Sequence, residues 1–407
     1  MKRLFVIDEH VSSKQNGIGT YMNSLFKCMD KEEIDFSLIS YNEDNVSEFS
    51  ISEEKDYTIY KFPVIAKGVF MENALLSLAI LKRYIIDSED NVFLVSHSPC
   101  SKYLKTLKRL FPKSKRFFVI HDQGWTAPLL GDKNKLLDIL SYGAYSGKDR
   151  KVCKFVRKYT KEEKTIYQHA HKVICLCNST KQLLVDVYNI PKEKVVLIPN
   201  GLKNDIQLIQ EEKQIIRQKL GLASSDYIIL YVGRMVEAKG VIELLKAFEI
   251  LFNKNPRMQL VIAGEVFNLN EFVKYTPNSS THITYTGLIA KDRLNEWYEV
   301  SDIGILPSYT EQCSYTAIEM MLHKLLIVTT SANGLKEMFT DRENAIVLSP
   351  DKSTLTASIV SAITKIISFN KSERERLVEN AYKHVITKYS IKAMCDGYRN
   401  LILNKRS

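Results

Sequence analysis

Two short segments place charged residues where sheet proteins do chemistry. In the first, Tyr231-Val232-Gly233-Arg234 is followed five residues on by Lys239-Gly240, which enters a helical pattern. An Arg just past a parallel strand and a Lys opening the next helix both face the crevice beyond the carboxyl edge of the sheet, where open α/β folds bind ligands. Two cations there can neutralise a diphosphate. As a bare pattern, they also fit ordinary surface charge in a strand-to-helix loop. The second segment runs from Pro307-Ser308-Tyr309-Thr310-Glu311 through Gln312-Cys313-Ser314-Tyr315-Thr316 to Glu319. It sets Glu311 in a loop after a strand and Glu319 within two turns of a helix beginning near Ser314. The open N–H groups around Ser314, Tyr315 and Thr316 suit an anion or sugar hydroxyls. The plainer reading is a helix cap with a solvated Glu.

Two further candidates lie in the first half. Gly17 and Gly19 belong to a loop from Ser12 to Thr20 that leads into a helix expected over 20–29. Glycines between a strand and a helix let backbone N–H groups approach a phosphate, or simply make a tight turn. His121, in Val119-Ile120-His121-Asp122, ends a strand, a place for an active-site imidazole or a structural hydrogen bond. Metal is not expected. The chain has no D-x-D pair, and His169 and His171, two apart on a helix, point about 200° away from each other. Cys175 and Cys177 alternate as strand residues do, which does not make a zinc site with those histidines. Cys313 has no base partner and reads as pocket lining.

Positioning these residues takes two successive α/β halves. Short apolar, β-branched runs at 4–7, 36–39, 92–95, 117–120 and 173–176, then at 228–232, 259–263, 283–286, 303–306 and 325–329, alternate with helical patterns such as 241–253. Continuous apolar strands joined by helices imply parallel sheets covered on both faces. Ile198-Pro199-Asn200-Gly201 breaks the pattern between the halves. The expected division is 1–200, 201–388 and a C-terminal helix at 389–407 packing back on the first domain. A length of 407 residues suits two domains. No window approaches the ~18–20 apolar residues of a membrane span, and the run at 4–7 reaches Asp8 too soon for a signal peptide. Seven scattered cysteines, an odd number, point to free thiols in a reducing, cytoplasmic setting and not to a disulfide framework.

The formal charge is +10, and it is concentrated. Residues 101–165 hold 17 Lys and Arg against six Asp and Glu, so the rest is near neutral. Basic residues mixed with apolar ones at helical spacing fit a solvated helix face, a peripheral contact with anionic membrane, or an acidic peptide or glycan acceptor. No nucleic-acid-binding motif accompanies the charge, so nucleic acid is not an expected partner.

The VGR-x4-KG segment, the E-x7-E pair and the NGIGTY loop together resemble family 4 glycosyltransferases, most strongly over 227–339. The resemblance implies a GT-B fold, two Rossmann-like α/β/α domains facing a central cleft. It also implies transfer of a hexosyl or N-acetylhexosaminyl group from a UDP- or GDP-sugar to a glycan, lipid-linked or peptide acceptor. In such enzymes, Arg234 and Lys239 would bind the donor diphosphate and stabilise it as a leaving group. Glu311 would meet the sugar near its anomeric centre, and Glu319 the ribose. Gly17 and Gly19 would close over the phosphates, the backbone of Ile289 would read the base, and His121 would stand near the sugar. Anomeric configuration would be retained, with the diphosphate helping to deprotonate the acceptor and with no cofactor or metal.

Departures from the family pattern are plain. Gln312-Cys313-Ser314 stands where many relatives have a Gly-Phe-Gly turn, so the identity of the donor sugar does not carry over from the family, and His323-Lys324-Leu325-Leu326 replaces a usual Gly and Pro. The EQCSY-x-AIEMM form resembles a subgroup tied to peptide modification or surface glycans. A sugar-nucleotide epimerase of the same fold would need further acid and base groups. A non-catalytic GT-B subunit that binds an acceptor protein for a partner enzyme would typically lack one of Arg234, Lys239, Glu311 and Glu319.

Overall fold

Runs of Val, Ile, Leu and Phe buried on both faces set the architecture, because only a parallel sheet sandwiched by helices hides such strands completely. The computed structural model describes residues 1–8, 17–28, 32–54, 57–96, 101–142, 149–204, 213–266 and 268–404. The chain divides into two units, Met1–Pro199 with Ile391–Ser407, and Asn200–Ser390.

The first unit runs β1 (Lys2–Asp8), α1 (Gly17–Lys27), β2 (Ile34–Glu43), β3 (Ser50–Glu53), β4 (Thr58–Pro63), α2 (Phe70–Tyr84) and β5 (Asn91–Ser96). It continues with α3 (Ser101–Leu110), β6 (Lys115–Ile120), α4 (Lys133–Tyr142), α5 (Arg150–His169), β7 (Lys172–Cys175), α6 (Asn178–Asp186) and β8 (Val195–Leu197). Its sheet has the order β3-β4-β2-β1-β5-β6-β7-β8, parallel except where β3 meets β4. Val6 on β1 pairs with Leu38 on one side and Leu94 on the other, so three apolar strands lie in register. Phe93, Leu104, Phe111 and Val156 are among the fully buried side chains of the core. Each contributes about 1.5–3 kcal/mol by leaving water.

The second unit runs α7 (Lys213–Lys219), β9 (Tyr227–Val232), α8 (Val241–Lys254), β10 (Met258–Ala263), α9 (Asn270–Val273), β11 (Ile283–Gly287), α10 (Lys291–Val300) and β12 (Ile303–Leu306). It closes with α11 (Tyr315–Leu322), β13 (Leu326–Thr330), α12 (Leu335–Met338), β14 (Ile346–Leu348), α13 (Leu355–Ile367) and α14 (Lys371–Lys388). Its sheet, all parallel, has the order β11-β10-β9-β12-β13-β14. Helix α8 buries Leu244, Leu245, Phe248 and Leu251, the stripe its spacing predicts.

The last helix, α15 (Ile391–Leu403), belongs to the first unit. It buries Met394, Tyr398 and Ile402. The Tyr398 hydroxyl lies 2.7 Å from that of Tyr21 on α1, and Arg399 forms an ion pair with Glu33. Cys28, just past α1, is disulfide-bonded to Cys395 on α15. This corrects the expectation that the cysteines are all unbridged thiols. The two partners stand 367 residues apart, so spacing does not betray the pair. Cys153, Cys175, Cys177 and Cys313 remain thiols and are buried. Among the described residues, no helix is long and apolar enough to cross a membrane.

Candidate active site

In the second unit, the chain leaves β9 for β10 on one side and later returns to β12 on the other, so strand order reverses between β9 and β12. The carboxyl ends of two such strands frame the ligand crevice of an open α/β sheet. Arg234 follows β9 and is exposed, and its carbonyl accepts the Tyr231 hydroxyl at 2.8 Å. A short turn (Glu237–Lys239) then leads into α8 through Gly240, whose φ is +68°. A Cβ at Gly240 would lie 2.0 Å from the Pro307 carbonyl oxygen, so only glycine lets the loops after β9 and β12 meet. The N–H of Tyr309 donates to the Ala238 carbonyl at 2.9 Å and ties the same loops together.

Glu311 is held from several sides. Lys239 Nζ donates to its Oε1 at 2.6 Å, and Ser308 Oγ donates to the same oxygen at 3.1 Å. The Lys239 and Glu311 side chains are only 22% and 15% exposed, so this charge-assisted bond is worth about 1.5–3 kcal/mol. The Glu311 carbonyl accepts the Gly334 N–H at 2.9 Å, and a Cβ at Gly334 would lie 1.6 Å from the Gln312 carbonyl. Asn200 donates to the Cys313 carbonyl at 2.7 Å. Burial drives the Tyr231 phenol far above its ordinary range, and the nearby Glu311 charge pushes the same way while Arg234 opposes it. Arg234, Lys239 and Glu311 thus converge on one end of the sheet.

Ser314 caps α11, its Oγ accepting the Ala317 N–H at 3.2 Å, with Tyr315 and Thr316 in the first turn. One turn on, Glu319 accepts the Tyr298 hydroxyl at 2.8 Å. Burial raises the Glu319 carboxyl above its usual value, against the Tyr298 hydrogen bond and the charges of Lys291 and His323. His323 stacks on Tyr298 with ring centroids 4.7 Å apart and bonds Glu299 and Asn295. Lys203, Lys291, Asn295, Glu319 and His323 line a small gap here. Ile289 sits between β11 and α10, two residues before Lys291.

In the first unit, β1 lies between β2 and β5, which makes its carboxyl end the reversal point of that sheet. The loop from Ser12 to Asn16 is outside the described residues. Gly17 and Gly19 do not lie in a loop ahead of the helix. They lie within α1, ahead of the start expected at Thr20. His121 directly follows β6, and the Tyr21 ring meets it edge-on, with centroids 4.5 Å apart at 70°. Helices α3 and α5 pack together. They bury Leu104, Leu107, Val156 and Ile166 and leave Lys102, Lys105, Lys108, Lys154, Arg157 and Lys158 in solvent, beside a Phe155 that is 42% exposed.

Tyr298 and Asn200, which hold Glu319 and the loop after Glu311, are not evident from the sequence as site residues. Their partners lie 21 and 113 residues away. The turn-forming Asn200-Gly201 pair is a weak signal for one of them. Among the described residues, no group of three or more His, Cys, Asp or Glu is placed to hold a metal ion.

Residues 15–205 match the family described as Glycosyltransferase Family 4, and residues 212–384 match Glycosyl transferases group 1. The chain belongs to the family 4 glycosyltransferases. A glycosyltransferase of Methanocaldococcus jannaschii is 27% identical over 286 residues, 68% of this chain and 72% of that protein. The lipopolysaccharide 1,2-N-acetylglucosaminetransferase of Salmonella typhimurium is 24% identical over 53% of this chain and 58% of its own length. In fold, the chain is similar to Anabaena HepE crystallised with UDP and glucose, with a TM-score of 0.72 at 13% identity, covering 99% of this chain and all of that one. The protein is therefore a glycosyltransferase of GT-B fold, and its VGR-x4-KG and E-x7-E segments fall in the second matched region.

Proposed function

We propose that this enzyme moves a sugar from a UDP- or GDP-sugar to a glycan, lipid-linked glycan or peptide, with retention and without a metal ion. The observation that carries the reading is the pairing of Lys239 with Glu311 beside Arg234, at the strand-order reversal of the second unit. With donor bound, Lys239 and Arg234 turn to the diphosphate and Glu311 is released to the sugar, while Glu319 takes the ribose hydroxyls. Ser314, Tyr315 and Thr316 offer polar groups at the start of α11, and the backbone of Ile289 meets the base. In the first unit, His121 is assigned to the donor sugar, and Gly17 and Gly19 to the phosphates. The bond from the anomeric carbon to the diphosphate oxygen breaks and a bond to the acceptor oxygen forms. The acceptor proton passes to the departing diphosphate, whose charge the two cations stabilise. HepE holds UDP and the Salmonella relative acts on lipopolysaccharide, which favours a UDP-sugar and a surface glycan among these choices.

The exposed cations of α3 and α5, with Phe155 between them, favour a peripheral contact with the anionic cytoplasmic face of a membrane. In a reducing compartment, Cys28–Cys395 would be a reversible pair. A thermal-shift screen with UDP-, GDP- and ADP-sugars tests the reading. The correct donor raises the melting temperature by mass action, and no response to any of them contradicts it.

A further inference from the structure

One carboxylate lies deep in the first unit with no part in the reaction so far. Glu163, on α5, is 3% exposed, and its two oxygens are both engaged. Oε1 accepts the backbone N–H of Gly124 at 2.6 Å, and Oε2 accepts the Tyr188 hydroxyl at 2.5 Å. Gly124 belongs to the turn 121–126 that begins with His121. Within it, Asp122 Oδ1 accepts the Gln123 N–H at 2.8 Å and the Thr126 hydroxyl at 2.7 Å, and the Thr126 N–H donates to the Gln123 carbonyl at 3.0 Å. The turn is therefore closed on itself, and Glu163 ties its Gly124 N–H to α5. A Cβ at residue 124 would stand 2.8 Å from the Tyr159 ring, so α5 also presses on the turn from behind.

We propose that Glu163 is a positioning residue for His121, gripping the Gly124 N–H to fix the turn that presents the imidazole. This rests on the assignment of His121 to the donor sugar. Burial pushes the Glu163 carboxyl up to about 7, against the hydrogen bonds from Tyr188 and Gly124, with Asp122 adding to the rise. The titratable groups facing it are Asp122 in the turn, Tyr188 beyond α6 and Tyr167 on α5 itself. A carboxylate accepts from both partners at once with charge-assisted strength, whereas the protonated acid must donate from one oxygen and grips the turn more weakly. The turn is thus held most firmly above neutrality, and the tyrosine at 188 shares in holding it.

Glu163→Gln keeps the shape and the capacity for both hydrogen bonds but is locked in the uncharged form. Hydrolysis of UDP-glucose, or of GDP-mannose where that raises the melting temperature instead, is followed from pH 5.5 to 8.5 for wild type, E163Q, Y188F and H121A. The kcat of the wild type rises through about pH 7. E163Q lacks that inflection and at pH 8 shows a kcat about three- to tenfold lower, with KM for the donor within about twofold. Its melting temperature at pH 8 is not lowered, which separates lost positioning from unfolding, and Y188F shifts kcat the same way by less. The backbone amide NMR signal of Gly124, which donates directly to Glu163, gives a readout independent of turnover, because it carries an inflection near pH 7 in wild type that E163Q removes. Wild-type activity in H121A would refute the assignment of His121. An inactive H121A together with an E163Q of unchanged kcat, pH profile and Gly124 amide signal would overturn the role of Glu163.

Discussion

Replacing Gly240 by Ala tests how the diphosphate-facing loops are joined. The new methyl would sit 2.0 Å from the Pro307 carbonyl oxygen, a backbone atom that cannot rotate away. The residue is also held at φ +68°, where a side chain costs about 1–2 kcal/mol. Relieving the clash needs a displacement of about 1 Å in the segment that carries Ser308 and Glu311, so the total rises to about 2–4 kcal/mol. Gly221→Ala is the matched control, because its φ is +73° but nothing lies within 4 Å of a Cβ there. It should cost about 1 kcal/mol. For a unit of this size each kcal/mol moves the melting temperature about 2–4 °C. Differential scanning fluorimetry should therefore place G240A about 5–15 °C below wild type and G221A only a few degrees below. Binding of the nucleoside diphosphate should fall in G240A alone, since the displaced loop carries Lys239, the residue before Gly240, away from the phosphates. Equal losses in the two variants, or unchanged nucleotide binding in G240A, would refute the close approach as the reason for glycine.

Three further outcomes are expected. Glu163 holds its proton to about pH 7 when folded, against 4.5 for an ordinary Glu. Its contribution is thus fully present below about pH 4.5 and is lost as pH rises to about 7, a swing of up to about 3 kcal/mol that Gln does not share. E163Q should therefore gain stability relative to wild type between pH 4.5 and 8 in urea unfolding, and parallel curves would count against it. Reduction, or Cys28→Ser, should remove about 2–4 kcal/mol, read as a lower urea midpoint; an unmoved midpoint means that the Cys28–Cys395 bond does not hold α15 to the first unit. Phosphatidylglycerol vesicles should float the protein at low salt and release it at about 0.5 M NaCl. The triple variant K154E, R157E, K158E should fail to float, and flotation as strong as wild type would reject α5 as the contact.

Long apolar strands were legible in the sequence because burial on both faces leaves a continuous hydrophobic run. All ten strands expected from such runs are present, with ends shifted by a few residues. The strands that escaped notice lack that signature. β3 carries Ser and Glu at a sheet edge, β4 mixes Thr, Lys and Pro, and β14 has only three residues. At the site, charged residues next to strand ends stood out locally. What holds them did not: Tyr298 reaches Glu319 across 21 positions, Glu163 reaches Gly124 across 39, and Cys28 reaches Cys395 across 367. Such partners become neighbours only through the order of strands. Gly17 and Gly19 are helical although glycine after a strand reads as a turn former.

Titration calorimetry of the nucleoside diphosphate against wild type, R234A and K239A bears most directly on the assignment of the two cations. Each variant should bind at least about tenfold more weakly, a loss of about 1.4 kcal/mol or more, with the melting temperature of R234A, whose side chain is exposed, close to wild type. Affinities equal to wild type in both variants would show that the diphosphate binds elsewhere.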